Sequence, residues 1–190
     1  MRALETDLKK VLVTASEKRL MTLEEVQASH FDGLKRYVAA NRSPDLMFLN
    51  FILLHEGANL NGDYFVRDEM EQLWPTYVGK PITWEHGQPY IGFITDSMLV
   101  QPEEDGPDPR WYIECAGIVW KARYPDEAYL IAQGAKDGSY GVSMEVYFSD
   151  ALYAIGDTNR LYTEEEAPYL VKLRGRTYQG QPVYRILLGC

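Results

Sequence analysis

Residues 110–148 read RWYIECAGIVWKARYPDEAYLIAQGAKDGSYGVSMEVYF and contain two strand-like stretches around the clearest helix of the chain. Pro125 suits the first turn of a helix, and the two acidic residues after it favour the positive N-terminal end. Gly134 or Gly138 can end the helix. The β-branched and aromatic residues on both sides predict strands. This stretch therefore predicts a domain that combines helices with a sheet.

Further strand candidates lie on both sides of this stretch. The segment 66–79 is predicted to contain one short helix, which Pro75 ends. The predicted strands are 46–57, 81–87, 90–100, 167–175 and 181–190. Many strands with few helices indicate an α+β fold. We expect a mixed sheet that curls or closes into a barrel, with helices around it.

The first forty residues have mostly helical spacing. One apolar stripe recurs at steps of three and four residues: Leu23, Val26, His30, Leu34, Tyr37 and Val38. Thr22 and Glu25 have the spacing of a capping box. A turn-forming cluster ends at Pro44, and helix is disfavoured before a proline. The sequence therefore predicts a helical N-terminal segment, 1–43, and a second region, 44–190.

Net charge argues against several classes of partner, although a local basic groove stays open. The 190 residues include 19 basic and 28 acidic ones, which gives a net charge of −9. This balance argues against broad binding to nucleic acid or to an anionic membrane surface.

No apolar run approaches the ~20 residues needed to cross a bilayer. The first thirty residues contain no signal-peptide core, so we expect a reducing compartment.

Motifs for cofactors and metals are missing from the sequence. Cys115 and Cys190 form no CxxC pair and no close group with the three histidines, so a zinc site is not expected. The acidic loops lack the spacing of a calcium site, and there is no P-loop, dinucleotide fingerprint or GxSxG elbow. We therefore predict neither a metal nor a cofactor.

His86 is the first candidate catalytic residue, because it stands where a predicted strand, ITWEHG, opens into a loop. Alternation puts Ile82, Trp84 and His86 on one face. Imidazole suits a general base near neutral pH. An ordinary histidine at a strand end is the alternative.

Ser143 is the second candidate, because it interrupts an apolar and aromatic strand, YGVSMEVYF. Alternation puts Ser143, Glu145 and Tyr147 on one face, opposite a core face. A serine satisfied by the backbone is the alternative. Together with a histidine, a serine hydroxyl can attack a carbonyl, provided that the fold brings the two side chains together.

The other nucleophile and histidine candidates carry less weight. Cys115 lies in an apolar strand with no cation beside it, so an inert buried thiol is expected, although a cysteine hydrolase stays open. His55 ends a strand and is either a turn histidine or the third member of a site. His30 lies on the apolar helix stripe, so a packing role is expected.

Four segments in order resemble one family. The segments LLHEGANLNGDYFVRDEM, GKPITWEHGQPYIGFITDSML and CAGIVWKARYPDEAYLIAQGAKDG, with the serine strand SYGVSMEVYF, together cover about 46–150. They look like the prohead proteases of tailed bacteriophages, capsid-maturation serine peptidases that are distantly similar to herpesvirus assemblins. The resemblance makes Ser143 the nucleophile and His86 the general base and acid. The region 44–190 would then be the protease domain, with a barrel-like fold similar to that of the herpesvirus protease.

The resemblance also implies a biological role. It implies cleavage of scaffold and capsid proteins inside the procapsid, in the host cytoplasm, together with self-cleavage. A homo-oligomer is left open, and neither nucleic acid nor a membrane is expected as a partner. The alternative is a non-catalytic capsid or scaffold assembly protein that shares the domain.

One departure from the family concerns the third catalytic group. In such proteases the serine strand is followed by a hairpin, another strand and a segment of small residues and proline, near which the third catalytic group can lie. This sequence stops at RILLGC, before any such segment. We therefore expect a truncated or processed chain. Glu145, Asp96 and the run 164–166 are the carboxylates that could orient His86. The sequence does not choose among them. The N-terminal helical segment is a candidate docking or inhibitory element.

Overall fold

The computed structural model describes residues 9–15, 18–41, 43–84, 87, 89–102, 108–139, 141–156 and 160–190, with the backbone alone for residues 9–15 and 18. The described ranges contain both helices and strands, with strand the more common of the two, so the protein is α+β. In the described ranges the strands form three open sheets, and none is curled or closed. The predicted barrel-like, herpesvirus-protease-like sheet is therefore wrong.

The elements alternate along the chain. The strands are β1 (Lys9–Ala15), β2 (Lys18–Met21), β3 (Leu46–His55), β4 (Gly57–Ala58), β5 (Asp63–Phe65), β6 (Pro81–Thr83), β7 (Tyr90–Val100), β8 (Tyr112–Trp120), β9 (Val142–Phe148), β10 (Asp150–Ile155), β11 (Leu161–Tyr162), β12 (Thr177–Tyr178) and β13 (Gln181–Leu188). The helices are α1 (Leu23–Ala28), α2 (Asp32–Ala40), α3 (Arg67–Leu73), α4 (Pro125–Asp137) and α5 (Pro168–Val171), with a 3-10 helix at Trp74–Tyr77.

A five-stranded sheet forms the centre of the molecule and explains why no barrel is needed. Its strand order is β2-β3-β8-β7-β6, and every neighbouring pair is antiparallel. On β8, Cys115 and Val119 belong to one core while Ala116 and Ile118 belong to the other, and all four are fully buried. Both faces of the sheet are thus covered by other elements. Closing a sheet into a barrel is one way to bury an apolar face, and this sheet has no exposed apolar face that would need it.

The N-terminal segment covers one face of this sheet. Val26 of α1 and Leu34 of α2 are completely buried in the core that contains Ala116 and Ile118. The predicted capping box of α1 is confirmed, because the Glu25 N–H donates to the Thr22 hydroxyl at 3.2 Å and the Thr22 N–H donates to the Glu25 carboxylate at 2.7 Å.

Strands replace helix at the start of this segment. Residues of β1 and β2 pair with β9 and β3 respectively, so the prediction of a helical N-terminal segment is wrong for 9–15 and 18–21. The physical reason is that pairing with distant backbone outweighs weak local helix spacing. The prediction of one or two helices along the apolar stripe is confirmed by α1 and α2.

The second face of the central sheet packs against α3, the 3-10 helix and β9. Met70 of α3 and Phe148 of β9 are completely buried in this larger core, and Leu73 is nearly so. Helix α4 leads directly into β9 and ends at Gly138, whose φ of +71° is favourable only for glycine. This packing sets the position of β9 beside the central sheet.

The remaining strands form a second sheet in the order β11-β10-β13-β5-β4, with β12 paired to β13. Asp63 of β5 is completely buried there, and its Oδ1 lies 2.8 Å from Nε of Arg185 and 3.3 Å from a guanidinium nitrogen of Arg174. The predicted strand at 167–175 is instead α5, which begins at Pro168, a residue well suited to a first helical turn.

No helix in the described ranges is both long enough and apolar enough to span a membrane.

Candidate active site

A cleft of about 1020 Å³ opens between β9 and the central sheet. One wall is the stretch 141–147, and the others come from β3, β6, β7, the 3-10 helix and Ile131 of α4. Its lining is mainly aliphatic and aromatic. Among the described lining residues, Lys80 and Glu145 are the charged ones. The cleft therefore suits apolar side chains, with two opposite charges available for orientation.

Burial along β9 follows the predicted alternation. Met144, Val146 and Phe148 are buried, whereas Glu145 is half-buried and Tyr147 is 52% exposed. Successive side chains of the strand therefore alternate between the core and the opposite face. This confirms the two-faced strand that the sequence predicts.

Ser143 lies on the wall of the cleft. Its residue is half-buried, but its Oγ is buried and has no hydrogen-bond partner among the described residues. A buried hydroxyl without a partner costs about 1–3 kcal/mol. The alternative that the sequence left open, a serine satisfied by the backbone, does not describe this geometry. A substrate reaches the Oγ only when neighbouring atoms move.

His86 lies outside the described residues, as do Glu85 and Gln88. Trp84 and Gly87, the described residues nearest to it in the chain, both line the cleft that contains Ser143. The Gly87 N–H donates to the Trp84 carbonyl at 3.1 Å. The distance between the two predicted catalytic side chains therefore stays a prediction.

The three carboxylate candidates for the third group lie in different places. Glu145 lines the cleft, two residues along the strand from Ser143. The Asp96 carboxylate instead accepts the backbone N–H groups of Gly33 and Leu34, at 2.7 and 2.6 Å, at the start of α2. Asp96 therefore acts as the cap that α2 lacks in its own sequence.

The run 164–166 also lies away from the cleft. It is exposed, and the Glu166 carboxylate accepts the Thr163 N–H at 2.9 Å in a local turn before α5. Of the three candidates, the fold brings Glu145 alone to the wall that carries Ser143.

Cys115 is buried in the central sheet rather than exposed to the cleft. Its Sγ donates to the Ser97 hydroxyl at 3.5 Å, and burial raises its thiol pKa to about 12. Since the thiolate is the nucleophilic form, this cysteine is unreactive near neutral pH. The observed environment agrees with the predicted inert thiol.

Two cleft residues were not singled out by the sequence. Cys190 lines the cleft, and burial, reinforced by the Glu69 carboxylate, raises its thiol pKa to about 12. Tyr77 is buried, its hydroxyl donates to the Met144 sulfur at 3.5 Å, and burial raises its pKa well above its ordinary value. No local motif marks either residue, because each reaches the cleft only through tertiary packing.

The other two histidines lie elsewhere. His30 is exposed between α1 and α2, with its Nε2 3.2 Å from the Glu114 carboxylate, so the expected packing role is wrong. The break between the two helices turns it out of the apolar stripe. His55 is half-buried with its Nδ1 3.7 Å from the Asp108 carboxylate, and it does not line the cleft.

Within the described residues, no group of three His, Cys, Asp or Glu side chains is arranged to hold a metal ion. A scan of protein-family models and searches of curated proteins and of solved structures find no match to this chain.

Proposed function

We propose that this protein is a prohead maturation protease, a serine endopeptidase that cleaves scaffold and capsid proteins during the assembly of a phage head. One observation carries the proposal: the buried Ser143 hydroxyl has no described partner and stands on the wall of a large apolar cleft. Trp84 and Gly87, the described residues on either side of His86, line the same cleft. The proposed setting is the procapsid interior, in the host cytoplasm, with the protease itself as a further substrate.

The proposed reaction uses the two side chains in turn. The Ser143 Oγ attacks the carbonyl carbon of the scissile peptide bond while the His86 imidazole takes the hydroxyl proton. The C–N bond then breaks, and the same proton passes to the leaving amine. Water, deprotonated by the imidazole, hydrolyses the acyl-serine ester and regenerates the hydroxyl. Glu145 is the carboxylate proposed to orient the imidazole.

The lining of the cleft supports a peptide substrate. Aliphatic and aromatic walls, together with one cationic and one anionic residue, suit an extended polypeptide with apolar side chains better than a small charged metabolite. The hydroxyl belongs to one of these walls, so the cleft can hold an apolar side chain while the neighbouring carbonyl is attacked, once nearby atoms have moved to expose the Oγ.

A fluorophosphonate probe tests the nucleophile directly, because it reacts covalently with activated serines. We expect labelling of the wild-type protein at Ser143, found by peptide mass spectrometry, and none in Ser143→Ala or His86→Ala. Ser149→Ala is the matched control: this exposed serine follows β9 directly, and its hydroxyl donates to the Leu188 carbonyl. A peptide library digested with the same variants reports endopeptidase activity.

The outcome that contradicts the proposal is a folded wild-type protein that neither labels at Ser143 nor cleaves any peptide. Unchanged circular dichroism and thermal midpoints in the variants ensure that loss of labelling is not loss of folding. A folded but unreactive protein would favour the alternative, a capsid or scaffold component that works by binding.

A further inference from the structure

Strand β1 pairs with the strand that carries Ser143. The two strands are antiparallel along their whole length, from Lys9 opposite Phe148 to Ala15 opposite Val142. In this register Thr14 lies directly opposite Ser143. A seven-residue segment from the start of the chain thus lies in extended conformation beside the candidate nucleophile.

The pairing occupies an edge that is otherwise unpaired. In the described part of the chain, β1 and β9 form a two-stranded sheet, and β9 pairs with no other strand. An unpaired strand edge presents a row of backbone N–H and C=O groups that bind an added strand. Without β1, this edge of β9 would be open to another extended peptide.

The Ser143 hydroxyl gives a second, independent observation. Its Oγ is buried although its strand lines a cleft of about 1020 Å³. A nucleophile that acts on proteins must meet the carbonyl of an extended chain. In the described arrangement the Oγ is not open to such a carbonyl, and the strand position beside Ser143 is already occupied by β1.

We propose that the β9 edge is the peptide-binding site, and that residues 9–15 are its internal occupant. A substrate binds as an extended strand antiparallel to β9, held mainly by backbone hydrogen bonds, after β1 has left. The inference rests on the proposed function, since it assigns the substrate-binding mode and the regulation of the same site. It replaces the predicted helical inhibitory element with a strand.

The sequence of the occupant suits this role. Residues 9–15 read KKVLVTA, with three consecutive apolar residues, Val11, Leu12 and Val13, and no proline. Such a segment is a good added strand, because β-branched residues favour extended backbone and every N–H is available. Substrates of the same class are extended segments rich in β-branched residues, without proline opposite the nucleophile.

The first experiment weakens the pairing of β1 in the full chain. Because backbone donors alternate along a strand, the pair Leu12→Pro/Val13→Pro removes at least one ladder hydrogen bond. We expect fluorophosphonate to label Ser143 about tenfold faster than in the wild-type protein. Leu12→Ile/Val13→Ile is the matched control, which keeps both N–H groups and should label at the wild-type rate.

The second experiment locks the pairing instead. Lys10 and Tyr147 are opposite residues of the two strands, away from Ser143. Cysteines at both positions are within the Cα separation that a disulfide tolerates. We expect oxidation of Lys10→Cys/Tyr147→Cys to slow labelling about tenfold, and dithiothreitol to restore it. Each single variant should be unaffected by oxidation.

The third experiment measures binding without catalysis. A fluorescent peptide of residues 6–17, TDLKKVLVTASE, is titrated by anisotropy against Ser143→Ala with and without the proline pair. We expect the proline pair to bind it about tenfold more tightly, because its edge is free. A scrambled peptide should bind both variants weakly.

These measurements separate the two proposals. If Ser143 is never labelled, the proposed function fails, and the binding titration still decides whether the edge takes a strand. Equal labelling rates and equal peptide affinities with and without the proline pair would overturn the inference. Unfolding of the proline pair, seen as loss of the thermal transition, would also overturn it, since β1 would then be a structural strand.

Discussion

Cys115 on β8 and Ser143 on β9 each interrupt an apolar strand with a nucleophilic side chain, yet their surroundings differ. Strand β8 is covered on both faces, and the Cys115 thiol has a partner in the Ser97 hydroxyl. Strand β9 is covered by the core on one face only, and the Ser143 hydroxyl has no described partner on the cleft wall. We therefore expect the reactivity of such a side chain to depend on whether its strand is covered on one face or on both.

Alanine substitution at the two positions should break the comparison most clearly. Ser143→Ala should lower peptide cleavage by at least about 10³-fold, because the nucleophile is lost. Its free energy of unfolding should stay the same or rise by about 1 kcal/mol, since an unpartnered buried hydroxyl is removed. Cleavage rates and urea unfolding of the purified variants measure both quantities.

Cys115→Ala should give the opposite pattern. Activity should be retained, while the free energy of unfolding falls by about 1–2 kcal/mol, because a core sulfur is lost and the Ser97 hydroxyl loses its partner. Loss of activity in a folded Cys115→Ala protein would support a cysteine hydrolase and contradict the proposed nucleophile.

Glu145 on β9 and Asp96 on β7 extend this comparison to two carboxylates, with smaller expected effects. Glu145→Gln should lower cleavage about 10- to 100-fold and alter its pH profile, because the proposed orienting charge is removed. Wild-type pH dependence in this variant would mean that Glu145 has no role in the site.

Asp96→Ala should instead affect stability. It should leave cleavage unchanged and lower the free energy of unfolding by about 1 kcal/mol, since two backbone N–H groups at the start of α2 lose their acceptor. Urea unfolding measures the loss, and a fall in activity without a fall in stability would return Asp96 to the list of catalytic candidates.

A further effect appears only at alkaline pH. Burial raises the Cys115 pKa from 9.0 to about 12, so in the unfolded chain this thiol ionises earlier than in the fold. Its contribution to stability is therefore complete below about pH 9 and is lost as the pH rises toward 12. The urea midpoint should fall over this window, and less steeply in Cys115→Ala. If the urea midpoint falls equally steeply with pH in both proteins, the loss of stability does not come from the Cys115 thiol.

Local patterns predicted much of this fold because they depend on neighbours in the chain. The capping box of α1, the helix ending at Gly138 and the strands β7, β8, β9 and β13 all follow from spacing, caps and alternation. The stretch 167–175 was mispredicted because its apolar residues fit either strand or helix, and Pro168 at a first helical position decides for α5. Strand β10 was missed for the same lack of a distinctive local signal.

The candidate site was predictable only in part. Alternation correctly put Ser143 and Glu145 on the less buried face of β9, but it could not show which carboxylate shares the cleft wall. Asp96 had equal standing in the sequence and caps a helix instead. The position of Cys190 at the cleft depends on packing against residues more than a hundred positions away, including Glu69.

By itself the sequence determined the α+β class, the two faces of β9 and the candidacy of Ser143, because these depend on side-chain periodicity within one element. The tertiary structure alone decided that the central sheet stays open, that Cys115 is sealed in one of the two cores that cover this sheet, and that β1 lies along β9 opposite Ser143. The physical reason is that burial and strand pairing are made between distant segments. Their free energies depend on which surfaces meet, and this information is absent from any local pattern.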